Sequence, residues 1–174
     1  TDKILDPSCG CGAFLLGIIR YHQLKFKSSI RSVVKNNIFG VDILDYNITR
    51  AKIVISIYAL LNQEIISEND FNLVVADSLR ENRAILKSFS ILKGFDIVVG
   101  NPPYVKFQDL HQTNRSFLSL EWKSIDSGTF NLYFAFYELG LNLLSSDGRL
   151  GYITPNNFFT SLSGESLRVF FQEK

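Results

Sequence analysis

Phe95-Asp96-Ile97-Val98-Val99-Gly100-Asn101-Pro102-Pro103-Tyr104 is a short, mostly apolar run that stops on a glycine, an amide and two prolines. The β-branched triplet Ile97 to Val99 reads as a strand covered on both faces, since no alternating polar set marks a wet face. The same arrangement recurs three times upstream. Ile4-Leu5 ends in Asp6-Pro7-Ser8-Cys9-Gly10-Cys11-Gly12, Ile38-Phe39-Gly40-Val41 ends in Asp42, and Phe71 to Ala76 ends in Asp77-Ser78. Helical stretches fall between them, from Ala13 to Tyr21 and from about Asn47 to Leu61. Downstream, Asn131 to Leu144 is apolar nearly all round, as in a helix packed on a sheet. Ser146-Asp147-Gly148 reads as a turn into a fifth strand, Leu150 to Ile153, and Gly164 to Lys174 begins another helix. Val105 to Phe130, with Gly128 near its end, reads as an irregular loop long enough to be functional. Buried strands alternating with helices predict the α/β class, with a doubly wound, mostly parallel sheet. Ligands of such sheets sit at the carboxyl ends of the strands, which is where these unusual residues fall.

The chain has 174 residues, 46% of them hydrophobic and 20% charged, with a net charge of +1. That composition predicts one folded domain over residues 1–174 rather than a disordered chain. The longest near-apolar run, Ile53 to Leu61, is far shorter than the roughly 20 residues a bilayer span needs. Cys9 and Cys11 lie too close together to form a disulfide framework, which fits a reducing, cytoplasmic setting. No methionine is present, even at position 1, which fits a removed initiator or a piece of a longer chain; the apolar run starting by Lys3-Ile4-Leu5 with no preceding helix favours the piece, with sequence expected on both sides. The two histidines have no metal-ligand spacing, so no metal site is expected. Five basic residues and no acid lie between Asp6 and Asp42 (Arg20, Lys25, Lys27, Arg31, Lys35), a stripe that reads as a solvated face.

At the first strand end, Gly10 and Gly12 let the backbone approach a ligand closely just before a helix N-terminus. No Gly-Lys-Ser/Thr follows, so a phosphate-gripping loop is disfavoured. Asp6 beside the turn would repel a pyrophosphate and suit a cationic ligand, which favours S-adenosylmethionine over a nicotinamide dinucleotide. Asp42 is placed to accept from ribose hydroxyls; Asp45 and Asn47 could cap the following helix and leave it free. Asp77 reads either as an acceptor for an adenine amino group or as a turn residue.

At the fourth end, Pro102 and Pro103 fix φ and remove two N–H donors, leaving a stiff backbone that presents carbonyls. The Asn101 side-chain oxygen and the Pro102 carbonyl would both accept from one exocyclic amino group. Such a group is a poor nucleophile because its lone pair is delocalised into the ring. Two fixed acceptors draw it toward tetrahedral geometry and stabilise the positive charge that develops on nitrogen during methyl transfer. Tyr104 offers a flat face on which an extruded base can stack.

These motifs resemble the N6-adenine DNA methyltransferases of restriction-modification systems, similar to the type IIG enzymes, over nearly the whole chain. Asp6 to Leu15 is similar to the family's cofactor motif, and Asn101-Pro102-Pro103-Tyr104 matches its catalytic motif. Asn131-Leu132-Tyr133 with Phe136, and Gly148 to Phe158 around Ile153-Thr154-Pro155-Asn156, resemble its later blocks. The resemblance implies a Rossmann-like class I methyltransferase fold, truncated here. It lacks the helix that usually precedes the cofactor motif, a second aromatic wall for the target base and a DNA target-recognition domain. It also implies S-adenosylmethionine as cofactor, double-stranded DNA as substrate and a possible fused or partner endonuclease, in a bacterial cytoplasm. The implied cofactor residues are Asp6, Pro7, Cys9, Gly10, Gly12, Phe14, Asp42, Ile43, Asp77, Ser78 and Phe136. Asp6 would hold the methionine end, Asp42 the ribose and Asp77 the adenine amino group, with Ile43 and Phe136 on the ring. Asn101, Pro102, Pro103 and Tyr104 carry catalysis. Cys11 stands where the family more usually has Ser or Thr. Lys106, Gln108, His111 and Arg115, in the loop after the catalytic motif, are candidates for DNA contact.

Cytosine C5 methylation is disfavoured, because it needs a cysteine nucleophile that the catalytic strand end lacks. Cytosine N4 methylation, glutamine methylation in a protein, and a non-catalytic module of a larger restriction protein remain as alternatives.

Overall fold

The computed structural model describes residues 2–125 and 130–173. The chain divides into two compact units, Thr1–Gly100 with Leu143–Gly151, and Asn101–Asn142 with Tyr152–Lys174.

In the first unit, β1 (Ile4–Asp6), β2 (Ile38–Asp42), β3 (Leu73–Val75), β4 (Phe95–Gly100) and β5 (Leu144–Tyr152, its last residue assigned to the second unit) form one sheet in the order β3-β2-β1-β4-β5. Parallel pairing sets Ile4 beside both Ile38 and Ile97, and Gly40 beside Leu73. Side chains alternate across a strand, so consecutive apolar residues serve opposite faces. Ile38 joins a buried cluster with Leu15 and Ile19 of α1 (Ala13–Phe26), Val33 and Val34 of α2 (Ile30–Asn36), and Ile48 and Ile55 of α3 (Asp45–Leu61). The next residue, Phe39, meets Phe89 and Phe95 edge-to-face on the other side, at 5.2 and 5.4 Å between ring centres. Phe89 is the C-cap of α4 (Asn82–Ser88). Both faces are therefore covered, and the expected doubly wound class is the one found.

Strand order reverses between β1 and β4, since the chain runs outward through β2 and β3 and returns on the far side of β1. A β-carbon on Gly100 would lie 2.6 Å from Asp6 Oδ1, so the two strand ends meet closely at this switch point. A crevice at such a reversal is where open α/β sheets take their ligands.

Five elements differ from the sequence expectation. Helices α2 and α4 are seven residues each, too short for their apolar period to stand out, although α2 has a Ser29 cap accepting from the Ser32 N–H at 3.1 Å. Strand β3 is shorter than Phe71 to Ala76, because Phe71 closes a helical turn, Glu68–Asp70, fixed by a Ser67–Asp70 capping box. The expected loop Val105 to Phe130 contains α5 (Gln112–Glu121); Gly128 in that loop lies outside the described residues. Strand β5 begins at Leu144, before the expected turn, and ends before Ile153. The turn is nevertheless present within it. Leu144 Cβ is 3.0 Å from the place a Gly148 β-carbon would take, whereas an extended chain would separate residues four apart by roughly 13 Å. Ser146-Asp147-Gly148 thus reverses the chain inside a segment that is strand by its hydrogen bonds.

The second unit holds α5, α6 (Tyr133–Leu143, its last residue assigned to the first unit) and α7 (Glu165–Gln172). Its interior is polar as well as aromatic. Buried Glu138 accepts the Ser124 N–H at 2.7 Å, and the Ser124 hydroxyl donates to the Phe134 carbonyl at 3.0 Å. Among the described residues, no helix is long and apolar enough to cross a membrane.

Candidate cofactor and catalytic residues

The loop after β1 is shaped by its glycines. Gly10 and Gly12 have φ of +53° and +83°, a region closed to most side chains. A β-carbon on Gly12 would meet Ala51 Cβ at 2.9 Å, so Gly12 also lets α1 approach α3; beside Gly10 there is open space. Helix α1 has no side-chain cap at its N-terminus. Asp6, 1% exposed, accepts from the Ser8 N–H at 3.0 Å. Burial is the main reason its carboxyl is pushed up to about 7, with the Asp42 charge adding to the effect. Burial, with Asp6 and Asp42 nearby, likewise raises the Cys9 thiol above its ordinary range, so Cys9 is neutral packing, whereas Cys11 is exposed.

The sequence left Asp42 free and gave the helix cap to Asp45 or Asn47. The structure reverses this. Helix α3 starts at Asp45 behind Leu44, without a side-chain cap. Asp42 Oδ1 accepts from the Leu44 N–H and from Asn47 Nδ2, each at 3.0 Å, and Oδ2 accepts from the Gly10 N–H at 2.9 Å. Asn47 has turned back to serve Asp42, because a buried carboxylate needs donors more than an exposed helix end needs an acceptor. Asp42 is a clamp between the glycine loop and β2.

Asp77 takes the turn role left open by its sequence. Its Oδ1 accepts from the Leu79 and Arg80 N–H groups at 3.0 and 3.2 Å, and Arg80 Nε stands 3.4 Å from Oδ2. Ser78, buried, donates to the Pro7 carbonyl at 2.6 Å and so ties the segment after β3 to the segment after β1. Ile43 is 61% exposed, a free apolar face beside Asp42. Phe14 instead lines an apolar groove of about 960 Å³, with Tyr21, Phe26, Ile97 and Val99.

In the second unit, Asn101 and Pro103 are exposed and Pro102 is buried. Tyr104, 45% exposed, turns its hydroxyl to two groups, the Asn101 side-chain oxygen and, at 2.6 Å, the Ile153 carbonyl. Its ring stands edge-on to Tyr133 at 6.0 Å. The segment after β5 is held by two more tyrosines. Tyr137 shares a hydrogen bond with Thr154 Oγ1 at 2.7 Å, and Tyr133 donates to Asn157 Oδ1 at 3.0 Å. Burial pushes the Tyr133 phenol up to about 12, so it remains a donor. Phe136 is 6% exposed within α6. Of the loop candidates, His111 caps α5, and Arg115 donates to the Leu110 and Gln108 carbonyls at 2.8 Å each, so both have structural duties; Lys106 and Gln108 are exposed. Sequence reasoning missed the Ile153 carbonyl, since a main-chain acceptor carries no residue signal.

Residues 36–174 match the family model described as Eco57I restriction-modification methylase. Over 217 aligned residues the chain is 27% identical to the type II restriction enzyme and methyltransferase RM.Eco57I of Escherichia coli, covering 99% of this chain and 22% of that protein. It is 29% identical to the type II methyltransferase M.BanIII of Aneurinibacillus aneurinilyticus, covering 99% of this chain and 28% of that one. The chain thus spans about a quarter of the length of these relatives. In fold it resembles the ATP-dependent type ISP restriction-modification enzyme LlaBIII bound to DNA, with a TM-score of 0.71 at 18% identity, over 96% of this chain and 13% of that one.

Proposed function

Because the chain belongs to the Eco57I restriction-modification methylase family, we propose that its parent enzyme transfers a methyl group from S-adenosylmethionine to the N6 amino group of an adenine flipped out of duplex DNA. One observation carries the choice of chemistry. Asn101-Pro102-Pro103-Tyr104 directly follows β4, the strand at the topological switch, and exposes an amide and an aromatic ring on a proline-stiffened backbone.

The residues after β1 fit the cofactor. Asp6 is a buried acid whose pKa is raised by burial, with the Asp42 charge adding to it, and an ammonium group beside it would favour its charged form. The open space beside Gly10 leaves room at the loop. Asp6 would hold the methionine ammonium, Asp42 would use its remaining lone pair for a ribose hydroxyl, and exposed Ile43 would cover an adenine face. When bound, S-adenosylmethionine supplies an electrophilic methyl group on a sulfonium.

The rest is done by the chain. The Asn101 oxygen and the Pro102 carbonyl accept the two amino hydrogens of the target base and pull its nitrogen out of conjugation. With the cofactor held there, its sulfonium would supply the methyl group to that nitrogen's lone pair and would keep the carbon–sulfur electron pair. The excess proton then leaves nitrogen for water. Tyr104 stacks on the extruded base and offsets part of its unstacking cost, roughly a few kcal/mol. Such an enzyme would act on DNA in the bacterial cytoplasm, with a fused or partner endonuclease completing a restriction system.

The test is transfer of labelled methyl from S-adenosylmethionine to unmethylated duplex DNA by the full-length parent, followed by digestion to nucleosides. Label in N6-methyladenine is expected. Label in N4-methylcytosine, or in protein alone, overturns the assignment of substrate.

A further inference from the structure

The Tyr104 hydroxyl lies within hydrogen-bonding distance of two oxygens, Asn101 Oδ1 and the Ile153 carbonyl. A phenol has one proton and cannot donate to both. A half-turn of the Asn101 amide about its terminal bond exchanges Oδ1 and Nδ2 with little other movement, and it removes the conflict. Nδ2 then donates to the phenol oxygen, and the phenol donates to Ile153. The amide oxygen is left pointing away from Tyr104, uncommitted, as the acceptor a substrate amino group requires.

We propose that the Tyr104 hydroxyl, referenced to the Ile153 carbonyl, is a positioning device that sets which way round the Asn101 amide faces. This is a duty beyond stacking on the base, and it rests on the reading that Asn101 accepts from the substrate amino group. An amide held the other way would aim N–H donors at N–H donors and lose the stabilisation it exists to give. The reference point is itself fixed. Thr154 is held by the Tyr137 hydroxyl and Asn157 by the Tyr133 hydroxyl, while Pro155 between them has a locked φ. The Tyr133 ring, edge-on to Tyr104, limits where the phenol can swing.

The experiment uses the full-length parent with Tyr104→Phe, which keeps the ring and removes the hydroxyl. The single-turnover methyl-transfer rate is expected to fall about tenfold, the size of one hydrogen bond. The KM for DNA is expected to stay within twofold. So is the fluorescence rise of a duplex carrying 2-aminopurine at the target position, a readout that needs no turnover and also reports a folded, base-flipping protein. In an Asn101→Asp background the two oxygens are equivalent and there is no amide to orient, so adding Tyr104→Phe is expected to cost less than threefold. An unchanged rate in Tyr104→Phe, or the same tenfold loss in both backgrounds, overturns the proposal while leaving the methyltransferase reading intact. Absence of transfer by the unsubstituted parent overturns both.

Discussion

The residues after the strands of the first unit and those around Asn101 in the second are anchored by opposite means. In the first unit the anchors are side-chain oxygens that serve the local backbone: Asp42 takes Gly10 and Leu44, Asp77 takes Leu79 and Arg80, and Ser78 donates to Pro7. In the second unit the anchors are phenols, with Tyr104, Tyr133 and Tyr137 reaching across to residues 153–157. Carboxylates hold loops through strong, charge-assisted bonds and are largely consumed by the task. Phenols hold through a single proton, and Tyr104, unlike buried Tyr133, also keeps an exposed aromatic face. The difference teaches that Asp42 and Asp77 are each committed to holding a loop, whereas Tyr104 holds through its hydroxyl and still presents a ring face.

The hardest break is Asn101→Ala. Removing the acceptor that meets developing charge is expected to lower methyl transfer by roughly a thousandfold, in line with loss of a preorganised charge-stabilising group. Among the described residues the Asn101 side chain bonds to Tyr104, so S-adenosylmethionine affinity, measured by calorimetry on the parent, should stay within threefold. A residual rate above a tenth of the unsubstituted enzyme would place the decisive acceptor elsewhere.

Asp42→Ala attacks the other style of anchor. It strands the Gly10 and Leu44 N–H groups and the Asn47 amide, and about 3 kcal/mol of stability should go with them. Urea unfolding of the 174-residue chain measures it. A loss under 1 kcal/mol would mean that water replaces the clamp without cost, leaving ligand contact as the main duty of Asp42.

How far this contrast was legible in sequence follows from what each anchor looks like in one dimension. The strands and the turns at their carboxyl ends were readable because buried parallel strands must be apolar, and they end abruptly where the chain has to turn. Gly10 and Gly12 were readable because a positive φ leaves few residue choices. The duty of Asp42 was not. Its partners include two main-chain N–H groups, which every residue possesses, and its choice over Asp45 depends on burial that appears only once β1 and β2 are paired. The Ile153 carbonyl was invisible for the same reason, though the neighbouring block Ile153 to Asn156 stood out. Helix α5 was hidden by its polar surface, with only Leu118 buried. Ser146 to Gly148 was read correctly as a turn and wrongly as a strand boundary, because pairing can continue through a local reversal.

Asp6 sharpens the comparison, since it is deeply buried yet accepts from a single N–H, that of Ser8, in the described hydrogen bonds. Folded, its carboxyl takes up a proton at about 7; unfolded, near 3.8. Between those values the folded chain binds more protons than the unfolded one, so stability falls as pH rises from about 4 to about 7 and then levels. Asp70 has the opposite sign. The Ser67 N–H and the Arg31 guanidinium hold it at about 2, so its contribution is complete above 3.8 and fades as pH falls toward 2. The two windows do not overlap. Asp6→Asn should flatten the slope between pH 4 and 7, raise the melting temperature at pH 8 by a few degrees, and weaken S-adenosylmethionine binding about tenfold. An unaltered slope in melting curves across that range would show that Asp6 ionises as a solvated acid does.

Ser78→Ala gives the smallest effect and the finest discrimination. By resemblance Ser78 belongs with the cofactor contacts; by geometry its proton is committed to the Pro7 carbonyl, at a buried position. If it is a brace, alanine removes one hydrogen bond and leaves a buried carbonyl unpaired, which costs about 1 kcal/mol of stability. Cofactor affinity should then stay within twofold, because Asp6, Gly10 and Asp42 keep one another in place through the Ser8 and Gly10 N–H groups rather than through Ser78. If Ser78 touches the cofactor, the order of effects inverts: affinity falls by tenfold or more and the melting curve hardly moves. A serine that gave both losses together would show that loop order and ligand binding are a single equilibrium, and the anchors of the first unit would then have to be read as part of the binding site after all.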